Sequence, residues 1–179
     1  MSDKNFIVAV YEKHNEAEAA VKELQRCGFD MKKLSIVGRE YHTEQQVVGY
    51  YNTGDRVKSW GKRGAFWGGL WGLLVGAAVF IIPGIGPVLI AGPVAASIAG
   101  ALEGAAALGG LSAIGAGLFS IGIPKDSVLK YESELKADKF LLVAHGDVGE
   151  LAQAKQILQT TRPDSLDVHM GAEGKTSAA

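Results

Sequence analysis

The sequence predicts an α+β protein in which two similar halves enclose a long apolar insertion. Three observations carry that expectation. The order strand, helix, strand occurs once near each end of the chain. Between them, the 59 residues from Gly64 to Gly122 hold one charge, Glu103, and 15 of the 24 glycines, while the other 120 residues hold 36 charges. Within the uncharged block, glycine recurs every fourth residue at Gly64, Gly68, Gly72 and Gly76. A uniform soluble globule and a generally disordered chain are both excluded by this contrast. A formal net charge of −1 argues against nucleic-acid binding by bulk charge.

The first half opens on Phe6-Ile7-Val8-Ala9-Val10-Tyr11, a continuous apolar run of strand length. Asn15 and Glu18 stand three apart and are expected to cap a helix. Ala17, Ala20, Val21, Leu24 and Cys27 then form an apolar stripe at helical spacing, and Gly28 suits the helix end. Cys27, the single cysteine, allows no intrachain disulfide and is expected to be a small buried hydrophobe. Leu34–Gly38 is expected to be a second strand and Val47–Tyr51 a shorter third.

The second half repeats the order. Phe140–Ala144 is a strand run, Asp147 and Glu150 form a second acidic capping pair, and Leu151, Ala154, Ile157 and Leu158 make a helix stripe. Ser165–Met170 alternates polar and apolar residues, as an edge strand does. An additional helix precedes this unit, with Pro124 in its first turn and Val128, Tyr131 and Leu135 on one face. Two βαβ units of this kind can share a four-stranded antiparallel sheet with helices on one face, the ferredoxin-like arrangement. The apolar runs Phe6–Val10 and Phe140–Ala144 are then expected to be central neighbours. The expected organisation is residues 5–60 as the first half of the α/β domain, 61–123 as the insertion, 124–170 as the second half and 171–179 as a disordered tail.

Glycine inside a helix costs about 1 kcal/mol relative to alanine in water, so a regular series needs a reason. Close helix packing supplies one, because small residues let backbones approach. The four-residue step recurs at Gly92, Ala96, Gly100 and Gly104, and again at Ala101, Ala105, Gly109, Ala113 and Gly117. The expected packing positions are therefore Gly64, Gly68, Gly72, Gly76, Gly92, Gly100, Gly104, Gly109 and Gly117. Residues 64–82 and 104–122 would each span about 28 Å as a helix, close to one hydrocarbon core. The Pro83-Gly84-Ile85-Gly86-Pro87 break between them favours a helical hairpin. Arg56, Lys58, Lys62 and Arg63 precede the block, with Trp60 and Trp67 nearby, as expected of a membrane interface with a cytoplasmic basic flank. Because the two halves must meet, the insertion has to return to the side it left.

Chemical motifs are sparse. Glu103 is a candidate ion or proton position, or else the marker of a helix end at the water boundary. His14, His42, His145 and His169 show no metal-ligand spacing, and no Cys pair exists. Gly174-Lys175-Thr176 lacks the leading glycine and following helix of a phosphate loop. Gly84-Ile85-Gly86 lacks the third glycine of a dinucleotide fingerprint. The basic cluster fits anionic lipid headgroups better than nucleic acid. No catalytic set, metal site or cofactor is expected, and the small-molecule ligand stays open.

The opening Phe6–Gly28, the Gly64/Gly68/Gly72/Gly76 step, the run Ile82–Pro93, the exit Gly122-Ile123-Pro124 leading to Tyr131-Glu132, and the strand Phe140–His145 together resemble a family. It is that of bacterial low-temperature-induced or general-stress membrane proteins with a glycine-zipper insertion, and the likeness covers residues 5 to about 146. The resemblance implies a membrane-associated stress-response protein and brings no catalytic residue with it. The expected function is a non-enzymatic, self-associating protein of the bacterial inner membrane, its α/β domain facing the cytoplasm. Its expected partners are the lipid bilayer and further copies of itself. An oligomeric pore using Glu103 and a soluble scaffold whose apolar hairpins bury one another are the alternatives.

Overall fold

A computed structural model describes residues 5–39, 77–82, 85–104 and 112–171. The described chain is a mixed α+β fold around one six-stranded sheet in which every pairing is antiparallel. The strands are β1 (Phe6–Tyr11), β2 (Leu34–Arg39), β3 (Ala77–Ile82), β4 (Gly86–Ala91), β5 (Phe140–His145) and β6 (Ser165–His169). The helices are α1 (His14–Arg26), α2 (Val94–Gly104), α3 (Ala113–Ser120), α4 (Lys125–Lys136) and α5 (Val148–Thr160). The sheet order is β3-β4-β2-β5-β1-β6.

The two apolar runs are neighbours: β1 pairs with β5 from Phe6 opposite His145 to Tyr11 opposite Phe140. Both strands are buried almost throughout because both faces of the sheet are covered. Alternation sorts their side chains. Phe6, Val8, Val10, Val37, Leu141 and Val143 share one core with residues of α2, α3 and α4. Ile7, Ala9, Tyr11, Ile36, Leu142 and Ala144 share the other with α1 and α5. The expectation of helices on one face is thereby corrected. A strand without polar residues has two faces to bury, and one helical layer covers only one of them.

Capping residues explain the helix starts. Asp147 Oδ1 accepts from Glu150 N at 2.8 Å, and Glu150 Oε2 accepts from Asp147 N at 3.0 Å, a reciprocal box at the head of α5. α1 begins earlier than the Asn15/Glu18 spacing suggests: Lys13 is its N-cap, and Glu16 accepts from Lys13 N at 3.4 Å. Lys33 reaches the Glu150 carboxylate at 2.6 Å and ties the approach to β2 to the start of α5.

The insertion departs most from expectation. Ala77–Ile82 and Gly86–Ala91 are not helical but form a β-hairpin, from Ala77 opposite Ala91 to Ile82 opposite Gly86. The hairpin extends the sheet because β4 pairs with β2, from Ile36 opposite Ala91 to Arg39 opposite Val88. Helix was expected over 64–82, from the glycine step and the length of the apolar run, with a break from Pro83 onward. Val79-Phe80-Ile81-Ile82 and Val88-Leu89-Ile90 are aromatic, β-branched or leucine segments that favour the pleat, and β2 offers an edge whose backbone groups need partners. The expected helix over 104–122 is interrupted at Ser112, the extended N-cap of α3 (Ala113–Ser120), and residues 105–111 lie outside the described residues. Among the described residues, no helix is long and apolar enough to cross a membrane. The Val47–Tyr51 strand and residues 172–179 of the expected tail lie outside the described residues. Gly171 N donates to Asn5 Oδ1 at 3.0 Å.

α2 and α3 pack together, with Ile98, Ala101, Ile114, Ala116 and Leu118 buried between the sheet and each other. Gly117 sets their approach. A methyl group there would lie 2.9 Å from Ile98 Cα and 3.1 Å from Ile98 N, both backbone atoms that cannot swing aside. At Gly100, by contrast, a Cβ would meet nothing within 4 Å among the described residues. No described residue makes the close approach expected at Gly100. Gly117→Ala is expected to destabilise the full chain by about 1–3 kcal/mol in denaturant unfolding. Gly100→Ala is expected to stabilise it by about 0.5–1 kcal/mol through helix propensity alone. Equal effects at the two positions would remove the close-packing explanation.

Candidate functional site

The most concentrated polar arrangement among the described residues lies along α4. Three consecutive side chains, Lys130, Tyr131 and Glu132, reach in different directions from a helix whose apolar stripe otherwise faces the core. Val128, Tyr131 and Leu135 are all fully buried, and Glu132 is 7% exposed.

Tyr131 points its hydroxyl at β6. The oxygen lies 2.7 Å from His169 Nε2 and 3.2 Å from Asp167 Oδ2, and Lys130 Nζ lies 2.8 Å from the same Asp167 oxygen. The alternation of β6 places these partners. Leu166 and Val168 pack on the core shared with α1 and α5, which turns Asp167 and His169 toward α4. Burial, reinforced by the Asp167 charge, raises the Tyr131 pKa, so the phenol keeps its proton and serves as a donor. Burial also opposes ionisation of Asp167, but the Lys130 ion pair outweighs it and holds the carboxyl below its usual range. Burial lowers the His169 pKa, helped by the Lys130 charge and opposed by Asp167. At neutral pH the cluster therefore holds a neutral imidazole, a protonated phenol and a Lys–Asp ion pair.

Glu132 points the opposite way, into the insertion. Its Oε1 accepts from Ser112 N at 3.2 Å and from the Ser112 hydroxyl. Ser112 Oγ in turn accepts from Gly115 N at 3.2 Å, so it caps α3 while Glu132 holds it. A carboxylate at a helix N-terminus is favoured by the helix dipole. Gly115 makes room for it, because a Cβ there would collide with Glu132 Oε1 and lie 3.0 Å from Val128 Cγ1. An ionisable group thus enters the uncharged block from a flanking helix.

Neither Glu132 nor the His169–Tyr131 contact was expected as a site. The sequence carries a signal for the first: Glu132 falls four residues after Val128, on the same face as Tyr131 and Leu135, where a carboxylate has to find donors. For the second, the alternation in Ser165–Met170 identified an edge strand but not that its polar face turns toward α4.

The expected site residues are distributed as follows. Gly64, Gly68, Gly72, Gly76 and Gly109 lie outside the described residues, as do Arg56, Lys58, Trp60, Lys62, Arg63 and Trp67. Glu103 falls in the last turn of α2 and Gly104 ends that helix, but their side chains are outside the description. Gly92 is not on a helix face: it precedes α2, has φ +95°, and its Cβ would lie 2.7 Å from Ser35 Cα. The chain turns there against the start of β2, where Ser35 Oγ accepts from Val94 N at 3.1 Å. Among the described residues, no group of three His, Cys, Asp or Glu is placed to hold a metal ion. His145 ends β5 with its ring centroid 6.2 Å from that of Phe6.

Residues 7–80 match the family model described as the heat induced stress protein YflT domain. The matched stretch holds β1, α1, β2 and the first residues of β3. No curated protein and no solved structure matches the chain. Over residues 7–80, less than half of its length, the chain is thus similar to a stress-protein domain.

Proposed function

We propose that this chain is a non-enzymatic stress-response protein that associates with membranes and with further copies of itself through the layer formed by the β3–β4 hairpin, α2 and α3. The observation carrying the proposal is the outer surface of that layer. From Ile81 to Gly122, no exposed or half-exposed side chain whose exposure is described carries a charge. Ile81 is 81% exposed and Phe119 46%, and Pro93, Ala96, Ala99 and Gly100 are exposed around α2. Water-facing helices ordinarily carry charge on their outer side, as α1 does with three exposed-face ion pairs. An uncharged outer surface suits the acyl boundary of a bilayer or the same surface of a second copy. In this reading β1, β2, β5 and β6 with α1 and α5 form a ferredoxin-like unit, and the β3–β4 hairpin, α2 and α3 form an apolar face laid on it. The similarity of residues 7–80 to a heat induced stress protein domain supports the stress-response part. The basic residues Arg56, Lys58, Lys62 and Arg63 add attraction for anionic headgroups, on the cytoplasmic side of the bacterial inner membrane.

The test is flotation of the full chain with vesicles containing phosphatidylglycerol, alongside its mass in detergent-free buffer by light scattering. Binding to vesicles is expected, and Ile81→Lys with Phe119→Lys is expected to weaken it at least tenfold, since each places a charge at the apolar boundary. A defined soluble particle that ignores vesicles would overturn the membrane reading and leave the scaffold alternative. A monomer that ignores vesicles would overturn both.

A further inference from the structure

We draw no further inference here: the strongest candidate, the outer edge of the apolar strand β3 at one end of the sheet, has no pairing partner among the described strands, and nothing in the structure shows what covers it.

Discussion

Replacing Gly92 with alanine is expected to lower the unfolding free energy of the full chain by on the order of 3 kcal/mol. Two costs combine at this position. Its φ of +95° lies where an L side chain is strained. The new methyl would also collide with the Leu34 carbonyl oxygen and lie 2.7 Å from both Ser35 Cα and Ser35 Oγ. Those neighbours are not free to move, because Leu34 and Ser35 are registered against Ala144 and Val143 of β5. Ser35 is itself fully buried, with its hydroxyl capping α2 through Val94 N. A shift at Gly92 therefore disturbs the junction between sheet and apolar layer. Gly28 separates the two costs. Its φ is +79°, but a Cβ there would meet nothing within 4 Å, so Gly28→Ala should cost only the backbone penalty of about 1–2 kcal/mol. Chemical denaturation of the two variants beside the native chain checks this. Equal losses would mean that Gly92 serves only as a turn residue.

Gly92 also shows which parts of this fold were legible in the sequence. Read as one step in a four-residue series, it was assigned to a helix face. Spacing identifies a helix only once a helix is known to be present, and here a strand ends and a turn intervenes before Val94. The strands β1, β2, β5 and β6, and the helices α1, α4 and α5, were legible because each carries its own period, cap or length. Their pairing followed from apolarity, since the two most apolar runs had to occupy the most buried places. The β3–β4 hairpin was not legible for the opposite reason. Uniformly apolar segments have no period, so helix and strand differ only in residue shape and in what edge is available elsewhere. The candidate site was hidden by distance: His169 lies 38 residues from Tyr131, and Ser112 lies 20 residues from Glu132. Glu103 drew attention because it stood alone in sequence, whereas Glu132, which is buried, was passed over among charged neighbours.

Glu132 supports the second large prediction. Glu132→Ala is expected to destabilise the chain by about 2–3 kcal/mol, because Ser112 N–H and the Ser112 hydroxyl lose their acceptor at a part-buried helix start. Glu132→Gln should cost less, about 1 kcal/mol, since an amide oxygen still accepts from both donors while the charge that favours the helix N-terminus is gone. Gly115→Ala attacks the same contact from the other side, by placing a methyl where Oε1 sits. Its loss alone should be about 2 kcal/mol, most of it from displacing the carboxylate. The decisive measurement is the double-mutant cycle. Once Glu132 is alanine there is no carboxylate to displace, so Gly115→Ala in that background should retain only its contact with Val128 Cγ1 at 3.0 Å. The two losses should then fall short of additivity by about 1–2 kcal/mol. Additive losses would show that Gly115 and Glu132 act separately, and that the carboxylate is not what joins α3 to α4.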